Sequence, residues 1–303
     1  VDNLRVGIIG AGCAGLQAAN DLKKTGHIVT VFDKGRNIGG RCATRPTPYG
    51  SLDHGVQHLS GNNALISQTI EEYGVPTQRV DFQSGRYQPV AGQGPFLVPK
   101  DGARSFAEAL AQGLDVRPSH TITRASLSRD IWHLEGSEGS MGDFEAVILA
   151  IPPAQAAAFN VHNGALDLEA ADYTPQVAAL IAHDEPLDLP DTGPLEHSGL
   201  AWISVSTDKK RATILSSEPL SSSLMETDKD KIADLLWQRL GGNGRPHYIK
   251  GHRWRYARVS APIGKPCHWD ATRKLGYCGD WFLGPNVEHA LESGAALAAA
   301  LTT

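Results

Sequence analysis

Residues 6 to 15 read VGIIGAGCAG and residues 28 to 41 read IVTVFDKGRNIGGR, and these two stretches decide the fold. Val6, Ile8 and Ile9 make a short apolar strand, after which Gly10, Gly12 and Gly15 open a helix that ends near Gly26. In a strand, glycine turn and helix of this kind the first glycine permits the tight turn. The second lets backbone approach a diphosphate, and the third lets the helix pack closely on the strand. Unpaired N–H groups and the positive dipole end at the helix N-terminus favour the anion. A second strand, 28 to 32, ends in Asp33, placed 18 residues after Gly15 to accept hydrogen bonds from ribose hydroxyls while repelling a 2′-phosphate. Ala14 in the helix-opening turn, Lys34 beside the acid and Ala150 at the end of the later run AVILAIPP complete this nucleotide-binding set.

Two further glycine motifs extend it. Gly39, Gly40 and Arg41 follow shortly after Asp33, and near the other end LGYCGD at 275 to 280 reads as a strand ending in Gly279 and Asp280. After Gly284 and Pro285 a helix is expected from about Val287 to Leu301. Such a turn sets a carboxylate against ligand hydroxyls and aims the helix start, Val287 and Glu288, at an anionic edge. That placement is worth roughly 0.3 to 1 kcal/mol.

Composition narrows the class. The chain has 303 residues, 41% hydrophobic and 20% charged, which suits a globular enzyme of two domains or one elaborated domain. A net charge of −5 with scattered Lys and Arg gives no electrostatic case for nucleic acid or an anionic membrane. With no run of eighteen apolar residues and no charged-then-apolar leader, a cytoplasmic protein is expected. Cys13, Cys42, Cys267 and Cys278 form neither a CxxC pair nor a disulfide framework, which removes the chemistry of a disulfide reductase. The twelve histidines include no HExxH, and His247 and His252 fall on opposite faces of a strand, so no metal site is expected.

Between the two ends, Ser51 to Ser60 reads as an alternating stretch with Asp53 and Gly55 as its fixed points. A helix follows from Asn63 to Tyr73, and loops or short edge strands run to Pro99 around Gly92 and Gly94. Ser105 to Gln112 reads as a helix, and 114 to 116, 120 to 125, 131 to 134 and 144 to 150 read as strands. Strands at 177 to 183, 200 to 206 and 211 to 216, a helix at 229 to 240 and a strand at 247 to 258 complete the pattern. The last alternates so that His252, Trp254 and Tyr256 share a face.

GAGCAG, GGR, SLDHGVQHL at 51 to 59, HRWRYARV at 252 to 259 and YCGDWFLGPNVEHALESG at 277 to 294 resemble the renalase-like flavoproteins of the amine-oxidase-like superfamily. The resemblance spans nearly the whole chain. It implies an α/β fold: a Rossmann-like FAD-binding domain (1–60, 100–153 and 270–303) with an inserted, smaller α+β substrate domain (61–99 and 154–269) on a mixed or antiparallel sheet. It also implies noncovalent FAD, no metal, and an oxidase taking hydride from dihydro isomers of nicotinamide nucleotides and passing the electrons to O2 as hydrogen peroxide. The partners implied are a small-molecule substrate and O2, with the chain a monomer or homodimer.

Carried over by residue, Gly10, Gly12, Gly15 and Asp33 hold the adenosine diphosphate, and Gly39, Gly40 and Arg41 reach the diphosphate. Gly279 and Asp280 meet the ribityl-phosphate side, and Val287 and Glu288 face the pyrimidine edge. Gln57, His58, Trp254, Tyr256 and Trp281 line the substrate pocket. Two departures bear on that pocket: Gly55-Val56-Gln57-His58 stands where relatives show GAQY, and the chain is shorter than its relatives. His58 or His54 would serve as a base for an amine or alcohol. The alternatives are an amine oxidase in the narrow sense, with Lys265 as a loose candidate for the superfamily's lysine; an NAD(P)H-using reductase, for which no second GxGxxG exists; and a non-catalytic flavin sensor.

Overall fold

The structure is a computed structural model and describes residues 3–80, 96–161, 164 and 166–303. The glycines at 92 and 94 lie outside the described residues. At its centre the strand Arg5–Ile9 pairs in parallel with Ile28–Phe32 on one side and Ala146–Leu149 on the other. Leu275–Tyr277 and Asp115–Arg117 extend the parallel sheet, and His268–Asp270 closes one edge in antiparallel fashion. Val6, Ile8, Val147 and Ile148 are fully buried because the sheet is covered on both faces, which is why its inner strands read as unbroken apolar runs.

The helices Cys13–Lys24, Ala103–Leu110 and Val287–Thr302 cover one face. The last crosses the first so closely that a Cβ on Gly294 would collide with the carbonyl of Ala14. Over the other face lies an antiparallel meander, Ile122–Ser128, Ile131–Gly136 and Gly139–Phe144.

A second, five-stranded sheet is antiparallel throughout, in the order Gly193–Pro194, Leu200–Val205, Arg211–Ser216, Asp172–Ala182 and Tyr248–Ala261. Val177, Ala179, Ile181, Ile203 and Ile214 pack one of its faces on the helix Lys229–Arg239, which starts at Asp228 accepting from the backbone N–H of Asp230 and Lys231. By alternation Gln176, Thr213, His252 and Trp254 take the opposite face. That face meets the segment after Asp53, whose carbonyl accepts from Thr213 Oγ1 at 2.7 Å.

Several elements differ from expectation. The expected strand 144–150 is two: Gly139–Phe144 belongs to the meander and Ala146–Leu149 to the parallel sheet. The expected strand at 177 begins at Asp172, because Pro175 sits in a bulge between Thr174 and Gln176 instead of ending the strand. The alternating stretch 51–60 is two short strands, Leu52–Asp53 and Leu59–Ser60, joined by a turn. The second pairs with Phe96–Pro99, which pairs in turn with Thr77–Val80. Among the described residues no helix is long and apolar enough to cross a membrane.

Candidate functional site

The three glycines of the first turn do three different jobs. Gly10 holds a φ of +112° where an added Cβ would run into the Ala150 carbonyl. Gly15 sits so close to the Gly10 carbonyl that any side chain would collide with it. Gly12 has an ordinary φ of −79°, and a Cβ there would meet nothing within 4 Å. The middle glycine is therefore demanded by neither backbone strain nor protein packing, which fits a site left open for a ligand's diphosphate. As N-cap it brings no side chain to the helix start, so the first N–H groups of Cys13–Lys24 have no partner within the helix.

The second glycine pair lies against this turn. Gly39 bridges Gly12, with Gly39 N–H donating to the Ala11 carbonyl at 2.8 Å. Asp33 is tied to the same turn through Oδ2, which accepts from Ala11 N–H at 2.8 Å, while its Oδ1 accepts locally from Gly35 N–H at 2.6 Å. Lys34 instead reaches Gln155 Oε1 at 2.9 Å.

Arg41 joins the two ends of the chain. Its guanidinium donates to Asp280 Oδ1 at 2.6 Å and to the Ala257 carbonyl at 3.0 Å, and it lies over the Tyr173 ring. The Tyr173 hydroxyl donates to the same Asp280 oxygen at 2.8 Å. Burial alone would lower the Arg41 pKa, but the Asp280 carboxylate outweighs it and holds the guanidinium charged. Burial, reinforced by Asp280, pushes the Tyr173 phenol up and keeps it a donor. Gly279 N–H is held by Ser293 Oγ at 2.9 Å, which fixes the Gly279–Asp280 turn on the final helix. At the start of that helix, beside Val287 and Glu288, Asn286 N–H donates to His289 Nδ1 at 3.3 Å.

Beyond Arg41 the chain doubles back: Val56 N–H donates to the Arg41 carbonyl and His54 N–H to the Ala43 carbonyl. Asp53 accepts from Thr44 Oγ1 and Ala103 N–H, and burial raises its pKa. Gln57 turns its amide N–H onto the Asp53 and Gly55 carbonyls. The Trp254 indole donates to the His54 carbonyl at 2.7 Å, and its ring stacks on His54 with centroids 5.6 Å apart. His58 packs against Phe96 and Trp202 at 4.3 and 5.1 Å, and Tyr256 stands edge-on to Tyr173.

The structure thus brings Gln57, His58 and Trp254 to one region and Tyr256 to the neighbouring Tyr173–Arg41 cluster. Trp281 stands apart from that region: it is 1% exposed, stacks on Phe282 with centroids 4.1 Å apart and belongs to the core cluster under the meander with Ile9, Phe32 and Leu149, its indole N–H buried without a partner among the described residues. Lys265 lies at 3.4 Å from His268 Nδ1. Cys13 and Cys42, 29 residues apart, meet at 3.5 Å between sulfurs, a proximity their spacing did not reveal. Both thiols are buried, and the contact with Cys13 and burial push the Cys42 thiol up, away from reactivity.

Tyr173 was missed because its strand was read as starting after Pro175. Its proximity to Asp280 joins positions 107 residues apart, which no local pattern carries.

Comparison with known proteins agrees with this architecture. Residues 8–73 match the model of an NAD(P)-binding Rossmann-like domain, and residues 91–302 match that of the flavin containing amine oxidoreductases. Renalase from Mus musculus is 23% identical over 301 residues, covering 86% of each chain. The (S)-6-hydroxynicotine oxidase of Paenarthrobacter nicotinovorans is 29% identical over 122 residues, 38% of this chain and 28% of that protein. A putrescine oxidase crystallised with putrescine superposes with a TM-score of 0.74 at 14% identity, covering 99% of this chain and all of that one.

Proposed function

The chain belongs to the flavin containing amine oxidoreductase family and is an FAD-dependent oxidoreductase, and from that premise we propose that it oxidises dihydro isomers of nicotinamide nucleotides. The observation that carries the cofactor half of the reading is the open position at Gly12, bracketed by Gly39 and facing a helix start free of side-chain caps. In the proposed arrangement Gly10, Gly12, Ala14, Gly15, Asp33 and Lys34 take the adenosine diphosphate, with Gly39, Gly40 and Ala150 closing round it. Arg41, already neutralised by Asp280, contributes N–H donors toward the diphosphate more than net charge. Gly279 and Asp280 take the ribityl side, and Val287 and Glu288 bring the final helix to the pyrimidine edge. The FAD-binding part then comprises 1–60, 100–153 and 270–303, and the substrate part 61–99 and 154–269.

Bound FAD supplies the hydride acceptor and, on reoxidation by O2, hydrogen peroxide. The protein's own task is to hold the donor ring in place and keep water away. Gln57, His58, Trp254 and Tyr256 supply that surface. Burial drives the His58 imidazole down to about 4, so at neutral pH it is uncharged and its ring serves as a packing face toward Phe96 and Trp202. A dihydropyridine gives up hydride without a prior proton transfer, which suits a surface of this kind.

The test is anaerobic mixing of the purified flavoprotein with 2- and 6-dihydro-NAD(P) and, separately, with a panel of small amines, while the flavin's visible absorbance is followed. Rapid bleaching by the dihydro isomers alone supports the proposal. Bleaching by amines alone replaces it with amine oxidation, and no bleaching by either removes both.

A further inference from the structure

Where the segment after Asp53 meets the second sheet, three rings pack together. The His54 and His252 centroids are 4.5 Å apart, and each histidine also contacts Trp254, His252 at 4.5 Å and His54 at 5.6 Å. Three polar atoms here are buried without a hydrogen-bond partner among the described residues: His54 Nδ1, His252 Nδ1 and Gln57 Oε1. Leaving such an atom unpaired costs about 1–3 kcal/mol, and three in one neighbourhood mark a place built to be completed by a ligand. His54 is only 7% exposed, so bulk water does not discharge that debt.

The charges that bear on the pair are all positive: Arg45 and Arg104 act on His54, and Arg45, Lys229 and Arg253 act on His252. The nearest carboxylate in sequence, Asp53, is already engaged by Thr44 and Ala103. An incoming ammonium would find no counter-ion here.

We infer that His54 and His252 are the specificity-determining pair of the substrate site, hydrogen-bonding an uncharged polar substituent, such as an amide or hydroxyl, on a ring held beside Trp254, and discriminating against an ammonium. The inference rests on the reading above, which sets the substrate against this face of the sheet. The free buried nitrogen of each ring is Nδ1. On His54, whose other nitrogen is engaged by the Leu52 backbone, it is an acceptor, and on His252 the tautomer with Nδ1 protonated makes it a donor, so that the pair together complements the N–H and the carbonyl of a primary amide. Burial, with the neighbouring cations, keeps both uncharged, His54 down to about 3 and His252 to about 4. Specificity built from buried polar groups is strong, because a ligand that cannot satisfy them leaves them unpaired.

Calorimetric titration of the FAD-loaded protein with benzamide and with benzylamine tests this, since the probes share a ring and differ in their charge and hydrogen bonding. Benzamide is expected to bind at least tenfold tighter. His252→Leu should narrow that gap at least fivefold at unchanged flavin content, and His252→Gln, which keeps a donor and an acceptor, should restore most of it. With the reduced substrate, His252→Leu should raise KM more than it lowers kcat. Equal binding of both probes, no binding of either, or an unchanged ratio in His252→Leu overturns the inference. A wild-type protein that binds benzamide selectively, yet whose flavin no donor bleaches, instead overturns the proposed activity and leaves the pair standing.

Discussion

Acid should destabilise this protein through its buried imidazoles. His54, His58 and His252 are held down to about 3, 4 and 4, with burial the largest cause in each case. In the unfolded chain each returns to about 6.5. As pH falls below that value the unfolded state takes up protons that the folded state refuses, so stability drops from about pH 6.5 down to about pH 4 for His58 and His252 and to about pH 3 for His54, and levels off below. Between pH 7 and pH 5 each histidine forfeits about 2 kcal/mol, and the three together roughly 6 kcal/mol, a large share of a typical folding free energy. Asp53 works in the opposite sense, since burial raises its pKa and the folded state keeps its proton longer. A comparison of single variants therefore isolates the effect better than the total does. Urea unfolding of the wild-type protein and of His54→Gln at pH 7 and pH 5, with excess FAD throughout, gives the difference directly. The variant should lose about 2 kcal/mol less on acidification. An equal loss in both proteins, or an NMR titration of His54 near 6.5, would refute the reasoning.

Tyr173→Phe removes the hydroxyl that donates to Asp280. It should cost about 1.5–3 kcal/mol in thermal unfolding and weaken FAD binding, because hydrogen bonds to charged groups are among the stronger ones. Gly294→Ala places a Cβ into the Ala14 carbonyl at the crossing of the first and last helices. Overpacking there should cost about 1–3 kcal/mol, read as a lowered melting temperature. Trp281→Phe, in the core and away from the ring cluster, should lower stability while leaving the KM for the reduced substrate unchanged, and a raised KM would return Trp281 to the pocket.

The sequence carried the parallel sheet well because its signals are local: glycines at fixed offsets, apolar runs for doubly covered strands, and an acid at the end of the second strand. The ends of the second sheet were less legible. Pro175 reads as a breaker, yet a bulge accommodates it within the strand Asp172–Ala182. Gly139 and Gly142 disguised the third strand of the meander, whose pattern SMGDF has little apolar alternation. At the site, the two glycine motifs and the Gly279–Asp280 turn were recognisable one by one, but the Arg41–Asp280 pair spans 239 residues and is a product of tertiary packing alone. The same holds for His54, His252 and Trp254. Alternation places the last two on one face, and only the fold brings His54 to them.

Gly12→Ala tests the account at its centre. The backbone there suits alanine, and in the protein alone the new methyl meets nothing within 4 Å, so the FAD-free protein should melt as the wild type does. The methyl would instead stand where the diphosphate has to approach, so FAD affinity, measured by flavin fluorescence titration, should fall at least tenfold, about 1.4 kcal/mol. An alanine variant that binds FAD as tightly as the wild type would contradict the claim that this turn cradles the cofactor.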